Sequence, residues 1–97
     1  MVELATQTDG NPALRGELDL LSVPALEAVL TKLVDGSVVE VDTSGVTFFD
    51  SSALRTFLNV RRRNPGLRIA NPSKAVVKVL EITGTLDYLV HGREIDW

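Results

Sequence analysis

Three valines within the six residues from Ser37 to Asp42 constrain the fold of this chain more than any other feature. β-Branched side chains favour extended backbone, and a short run of them is typical of a strand that is covered on both faces. We therefore predict a central β-strand at this position. Helical patterns lie before and after it along the chain, so the sequence predicts an α/β fold in which helices cover a mixed sheet.

Three segments carry apolar residues at helical spacing, and capping or turn residues bound each of them. The predicted helices are Val23 to Val34, Ser51 to Asn64 and Ser73 to Glu81. Ser22 is the predicted N-cap of the first helix, and Pro24 suits its first turn. A strand from Leu67 to Ala70 is predicted between the second and third helices. The tail after Gly84 is compatible with a helix turn or with a short strand.

Two turn signals complete the predicted topology. The Asp-Gly pair within residues 8–11 predicts a β-hairpin at the N-terminus, between strands at Val2 to Gln7 and Pro12 to Arg15. The segment Thr43-Ser44-Gly45 predicts a second turn, after which the apolar stretch from Val46 to Phe49 leads into the second helix.

Length and composition limit the function. Ninety-seven residues suit one domain, which we expect to span residues 1–97. The chain has no cysteine and one histidine, His91, so we expect no metal and no cofactor. The net charge of −3 does not favour nucleic acid as a direct partner, and no apolar run is long enough for a membrane span. A cytoplasmic protein is expected.

The strongest functional candidate is the junction at which the apolar stretch ends and the second helix begins. Ser51 and Ser52 follow Asp50 there, so two hydroxyls stand at a predicted helix N-terminus. Unpaired N–H groups and the positive end of the helix dipole favour an anion at that position, and a phosphate added to either serine would gain support. The alternative is that one of the three residues is simply an N-cap, which is the commoner role of such residues.

Three motifs follow one another between about Ala13 and Leu89. The main one is residues 39–54, VEVDTSGVTFFDSSAL. The others are residues 16–19 (GELD) with 23–26 (VPAL), and residues 71–84 (NPSKAVVKVLEITG). In order and spacing, all three resemble the motifs of STAS domains of the anti-anti-sigma factor type. Two departures are Ala53, where the family usually has glycine, and Thr85, where it prefers an apolar residue.

The resemblance implies a regulatory switch that has no catalytic centre of its own. In this family the unmodified protein binds an anti-sigma factor, a serine kinase of the GHKL type, and so frees a sigma factor. The kinase phosphorylates the serine after the aspartate, which is Ser51 here with Ser52 as the secondary candidate, and a PP2C-type phosphatase restores binding. A monomer or weak dimer is expected. The residues expected at the partner surface are Asp19, Phe49, Asp50, Ser51, Ser52, Leu54 and Arg55.

Other interpretations of the sequence carry less weight. Arg61-Arg62-Arg63 suits a solvated helix end, where the positive charges complement the dipole, better than a nucleic-acid patch. His91 lies in the tail, and the chain has no G-x-S-x-G motif, so a hydrolase is disfavoured. The competing function is a STAS module that binds a ligand or assembles a signalling complex, without a phosphorylation switch at Ser51.

Overall fold

The computed structural model describes residues 2–6, 12–34 and 38–93. In chain order its elements are β1 (Val2–Thr6), β2 (Pro12–Leu18), a 3-10 turn (Leu20–Ser22), α1 (Val23–Leu33), β3 (Val39–Phe49), α2 (Ser51–Arg63), β4 (Leu67–Ala70), α3 (Lys74–Thr83) and α4 (Leu86–Val90). The three predicted helices and the predicted strand at β4 are confirmed, and the helix ends move by one or two residues at most.

The strands form one sheet in the order β1-β2-β3-β4. β2, β3 and β4 are parallel, and the crossovers between them contain α1 and α2. β1 lies antiparallel to β2, with Val2 opposite Gly16 and Thr6 opposite Pro12. The turn predicted over residues 8–11 lies outside the described residues, so the hairpin stays a prediction.

The core lies between the sheet and its helices. Each helix contributes an apolar stripe, as the spacing predicts, and Leu54 and Phe57 of α2 are both buried. The Phe57 ring packs against Phe49 of β3, with 6.0 Å between the ring centroids. The fully buried side chains include Leu14, Leu18, Leu26, Leu30, Val41, Phe57, Val60, Leu67, Ile69, Val76, Leu80 and Leu89.

The prediction that the central strand is covered on both faces is wrong for the described residues. Val41 points into the core, but Glu40 and Phe48, on the opposite face of β3, are exposed. Val38, which directly precedes β3, is also exposed. Alternation along a strand sends neighbouring side chains to opposite faces, so the valine run supplies one apolar face only.

The predicted turn at Thr43-Ser44-Gly45 is wrong, because β3 continues through it to Phe49. The register with β2 shifts twice, between Ala13 and Arg15 and between Gly16 and Glu17, so β3 accommodates bulges while it remains paired.

A buried carboxylate stabilises this irregular part of β3. One oxygen of Asp42, Oδ1, accepts hydrogen bonds from the backbone N–H of Ser44 at 2.9 Å and from its hydroxyl at 2.6 Å. The other, Oδ2, accepts a hydrogen bond from the Asn71 amide at 2.8 Å, just after β4. Residues that are typical of turns therefore lie within this strand, and the Asp42 side chain bonds the backbone where the strand is distorted.

The tail forms the short helix α4, which decides between the two alternatives that the sequence leaves open. Gly84 ends α3 in the left-handed conformation, with φ at 72°, and Thr85 N–H then donates to the Leu80 carbonyl at 2.9 Å. This hydrogen-bonded helix end turns the chain back towards the sheet. Tyr88 and Leu89 of α4 are thereby buried in the core.

Candidate functional site

The junction between β3 and α2 places Ser51 at the first position of the helix. Asp50 is the N-cap, since its backbone is extended and its Oδ1 accepts a hydrogen bond from Ala53 N–H at 3.0 Å. Ser51 is exposed, and no described residue bonds its hydroxyl. The structure therefore assigns capping to Asp50 and leaves the Ser51 hydroxyl accessible.

Ser52 differs from Ser51 in its surroundings. It is half-buried, and its carbonyl oxygen accepts a hydrogen bond from the Thr56 hydroxyl at 3.0 Å. It also lines a groove between α2 and the segment formed by the 3-10 turn and α1. Of the two serines, Ser51 is the more accessible to another protein.

A second carboxylate cap stands on the neighbouring strand. Asp19 follows β2 directly, and its Oδ1 accepts hydrogen bonds from Ser22 N–H at 3.1 Å and from the Ser22 hydroxyl at 2.9 Å. These bonds, with that of the hydroxyl as the main cause, lower the pKa of the Asp19 carboxyl from its usual value. The hydrogen bonds from Ser22 therefore favour the charged form of this carboxyl.

Ser22 occupies the predicted N-cap position of α1, but its side chain does not cap that helix. Ser22 makes no side-chain cap bond to that helix, and its hydroxyl instead contacts Asp19 and the Glu17 carbonyl, the latter at 2.9 Å. Asp19 caps the 3-10 turn that precedes α1. The sequence contains a signal for this arrangement, because aspartate is as good a cap as serine and stands three residues earlier.

The two caps lie at the same end of the sheet. Leu18 and Phe49 are opposite each other in the parallel register, and Asp19 and Asp50 directly follow them at the ends of β2 and β3. The two aspartates also share one backbone conformation, with φ and ψ of −122° and −175° for Asp19 and −119° and −178° for Asp50. Two carboxylate caps therefore stand at the end of the sheet from which α2, with Ser51 at its first position, begins.

Two residues expected at the partner surface are buried instead. Phe49 is 5% exposed and Leu54 is 6% exposed, and both belong to the core. Strand alternation turns Phe49 towards the helices and Phe48 towards the solvent, so Phe48 is the exposed aromatic residue. Phe49 and Leu54 hold the junction in place from below and present almost no side chain to a partner.

Arg55 is exposed and lies one helical turn after Ser51, on the same side of α2. Together with Ser52 it lines the groove that faces the 3-10 turn. None of the described residues forms an ion pair with its guanidinium group. The Arg55 guanidinium group therefore carries a positive charge that no described carboxylate pairs with.

The three consecutive arginines at the end of α2 do not behave alike. Arg62 and Arg63 are exposed, as predicted, and Arg63 approaches Glu27 at 3.9 Å. Arg61 is 2% exposed, and its guanidinium carbon lies 4.5 Å from the centroid of the Tyr88 ring. The prediction of a solvated face is wrong for Arg61, because the helix period turns this residue towards α4.

Other chemistry has little structural support in the described part of the chain. His91 is exposed and lies 3.9 Å from Asp87, an exposed carboxylate of the same tail. Within residues 2–6, 12–34 and 38–93, no three His, Cys, Asp or Glu side chains converge as a metal site would require. The helices described are all too short or too polar to cross a bilayer.

Comparisons with known proteins agree with this architecture. A family model described as "Mlab, STAS domain" matches residues 4–91. The chain is 35% identical over 85 residues to an anti-sigma-B factor antagonist of Staphylococcus aureus (strain NCTC 8325 / PS 47), covering 81% of this chain and 78% of the relative. It is 28% identical over 79 residues to an anti-sigma-B factor antagonist of Bacillus subtilis (strain 168), covering 76% and 72%.

Proposed function

The chain belongs to the STAS domain family, and from that premise we propose that it is an anti-sigma factor antagonist controlled by phosphorylation of Ser51. The unmodified protein binds an anti-sigma factor, a serine kinase of the GHKL type, and so frees a sigma factor. Phosphorylation of Ser51 ends that contact, and a PP2C-type phosphatase restores it. The protein itself acts by binding and catalyses no step.

The accessibility of Ser51 is the observation that carries this proposal. The serine is exposed at the first position of α2, and no described residue bonds its hydroxyl. The neighbouring Asp50 is already engaged as the cap, with its side chain on Ala53 N–H. A kinase could therefore reach the Ser51 hydroxyl without breaking a hydrogen bond of the helix.

The modification leaves the fold in place. The Ser51 oxygen forms a bond to the γ-phosphorus of ATP, the bond to ADP breaks, and the hydroxyl proton passes to a base of the kinase. The resulting phosphate stands at the N-terminus of a helix, where the dipole stabilises an anion by about 0.3 to 1 kcal/mol. Phosphorylation at this position is therefore compatible with an intact α2.

The same modification alters the surface strongly. A phosphate adds a charge of about −1.5 to −2 at neutral pH. It would lie beside the Asp50 carboxylate and near that of Asp19, on the neighbouring strand end. A partner that fits the unmodified surface would then meet added bulk and concentrated negative charge, which supports loss of binding without refolding.

The proposed partner surface contains five residues: Asp19, Asp50, Ser51, Ser52 and Arg55. All five have side chains that are exposed or half-buried at the ends of β2 and β3 and along the first turns of α2. Phe49 and Leu54 are left out because their burial makes them supports of this surface.

The test is to incubate the purified protein with ATP, Mg²⁺ and candidate anti-sigma serine kinases of the GHKL type, and to locate phosphate by mass spectrometry. We expect one phosphate per chain on the peptide that contains Ser51. The Ser51→Ala variant should remain unmodified, and the Ser52→Ala variant should be modified as the wild type is. A single phosphate on Ser52 in Ser51→Ala would reassign the acceptor.

Absence of both phosphorylation and binding with every such kinase would contradict the proposal. It would favour a STAS module that binds or assembles without this switch. Binding without phosphorylation would retain the antagonist function and remove the Ser51 switch.

A further inference from the structure

The turn between β2 and α1 carries two leucines that the core does not use. Leu20 is 68% exposed and Leu21 is 90% exposed, although neighbouring Leu18 is fully buried. Single exposed apolar residues are ordinary on protein surfaces, but two adjacent ones on one turn form a local patch. The turn Leu20–Ser22 therefore exposes apolar side-chain area that the core does not bury.

Hydrogen bonds hold this turn in one conformation. Asp19 accepts from the N–H and from the hydroxyl of Ser22, and the hydroxyl also contacts the Glu17 carbonyl. The backbone bond from Ser22 N–H to the Asp19 carbonyl, at 3.0 Å, closes the turn. The leucines are thus presented on an ordered support, so little conformational entropy would be lost on binding.

The patch is continuous with the surface around the proposed phosphoacceptor. Asp50 N–H donates to the Leu18 carbonyl at 3.3 Å, which fixes the start of the turn against the start of α2. Leu20 and Val23 line one wall of the groove, and Ser52 and Arg55 line the other. A protein that contacts Ser52 in the groove would therefore also meet Leu20, and Leu21 is the next residue of the same exposed turn.

The charges of the groove indicate what kind of partner surface fits. Arg55 has no ion pair with any described residue, whereas Glu27, further along the groove, approaches Arg63 at 3.9 Å. The part of the groove lined by Leu20 thus offers apolar area and one cation, Arg55, that no described residue pairs with. Its complement is an apolar side chain accompanied by a carboxylate.

We infer that the Leu20–Leu21 turn and Arg55 form the binding surface for an apolar, acidic segment of the anti-sigma kinase. This inference rests on the proposed function and adds the apolar anchor of the same interface. It also adds a way in which phosphorylation acts. A phosphate on Ser51 would stand one turn before Arg55 and would compete with the partner's carboxylate for the guanidinium group.

The test measures affinity for a kinase that binds the wild-type chain, by titration calorimetry with the unphosphorylated protein. A Leu20→Ser/Leu21→Ser variant should bind at least about tenfold more weakly, because truncating a central interface residue commonly has an effect of that size. Its matched control is Ile82→Ser, which removes an apolar residue that is 75% exposed on α3. That control should bind within about twofold of the wild type, as expected of a residue outside the interface.

Charge is tested in the same way, with Arg55→Glu as the variant and Arg62→Glu as its control. Both arginines are exposed on α2. We expect Arg55→Glu to lose at least about tenfold in affinity and Arg62→Glu to retain it, since only the first faces the proposed interface. Circular dichroism melting curves establish that each variant is folded.

Hydrogen–deuterium exchange of the wild-type complex gives a readout that needs no variant. We expect protection of the amides in residues 20–23 and at the start of α2 when the kinase binds. If the leucine variant binds as the wild type does and residues 20–23 gain no protection, the inference is wrong, while binding itself preserves the antagonist function. If no kinase binds the wild type, the proposed function fails and this inference fails with it.

Discussion

The backbone N–H of Asp50 donates a hydrogen bond to the Leu18 carbonyl oxygen at 3.3 Å. This bond joins the end of β2 to the start of α2, two segments that are 32 residues apart in the chain. It brings the two carboxylate caps, Asp19 and Asp50, to one end of the sheet. The stability of α2 and the surroundings of Ser51 both depend on this junction.

The Asp50 cap of α2 should make a measurable contribution to the free energy of unfolding. Asp50→Ala removes the acceptor of the Ala53 N–H, so we expect a loss of about 0.5 to 2 kcal/mol in the free energy of unfolding. Asp50→Asn, the matched control, keeps an acceptor oxygen and should lose less. Chemical denaturation of the three proteins checks this prediction, and equal stability of the alanine variant and the wild type would contradict it.

The contact between Phe57 and Phe49 should contribute much more to stability than the Asp50 cap does. Phe57 is fully buried and packs against Phe49, so Phe57→Ala should reduce the free energy of unfolding by about 3 to 5 kcal/mol. Phe48→Ala is the control, because Phe48 is 48% exposed and leaves no core cavity. A loss below about 1 kcal/mol for Phe57→Ala would show that α2 packs through another face.

The buried Arg61 should contribute more to the stability of the fold than the exposed Arg62 does. Replacing Arg61 by alanine removes the guanidinium group from the Tyr88 ring and leaves space in the core, and we expect a loss of about 2 kcal/mol or more. Arg62→Ala, at an exposed position, should change stability by less than about 0.5 kcal/mol. Similar urea denaturation midpoints for the two variants would contradict the assignment.

The Asp19 cap predicts a pH dependence. Because hydrogen bonds from Ser22 lower the pKa of the Asp19 carboxyl, this group stabilises the fold at neutral pH and loses that effect as the pH falls through the lowered pKa. An NMR titration of the wild type should give a pKa for Asp19 below the ordinary value of an aspartate. Ser22→Ala should raise it, whereas Ser44→Ala, whose hydroxyl bonds Asp42 instead, should leave it unchanged. An equal pKa for Asp19 in the wild type and Ser22→Ala would refute this explanation.

The helices could be predicted from the sequence because their signals are local. The apolar spacing of α1, α2 and α3 and their flanking turn residues lie within each segment. The N-cap position of α1 at Ser22 follows from them, whereas the 3-10 turn capped by Asp19 does not. The position of Ser51 at the start of α2 follows from the same local information. Its family role comes from the resemblance of the surrounding motif.

The incorrect predictions concern residues whose structure depends on contacts with distant parts of the chain. Thr43-Ser44-Gly45 carries turn residues, but pairing with β2 and the Asn71 contact to Asp42 keep it within a strand. Alternation separates Phe48 from Phe49, yet only the sheet shows which of them faces the helices. Arg61 looks like a surface residue until α4 brings Tyr88 beneath it.

The most direct test of the central claim compares the affinity of one anti-sigma kinase for unmodified protein and for protein fully phosphorylated on Ser51. We expect the phosphorylated form to bind at least about tenfold more weakly, with Ser51→Glu between the two, because a carboxylate supplies only part of the charge of a phosphate. Raised salt should partly restore binding if charge repulsion dominates. Equal affinity of the unmodified and phosphorylated proteins would contradict the phosphorylation switch.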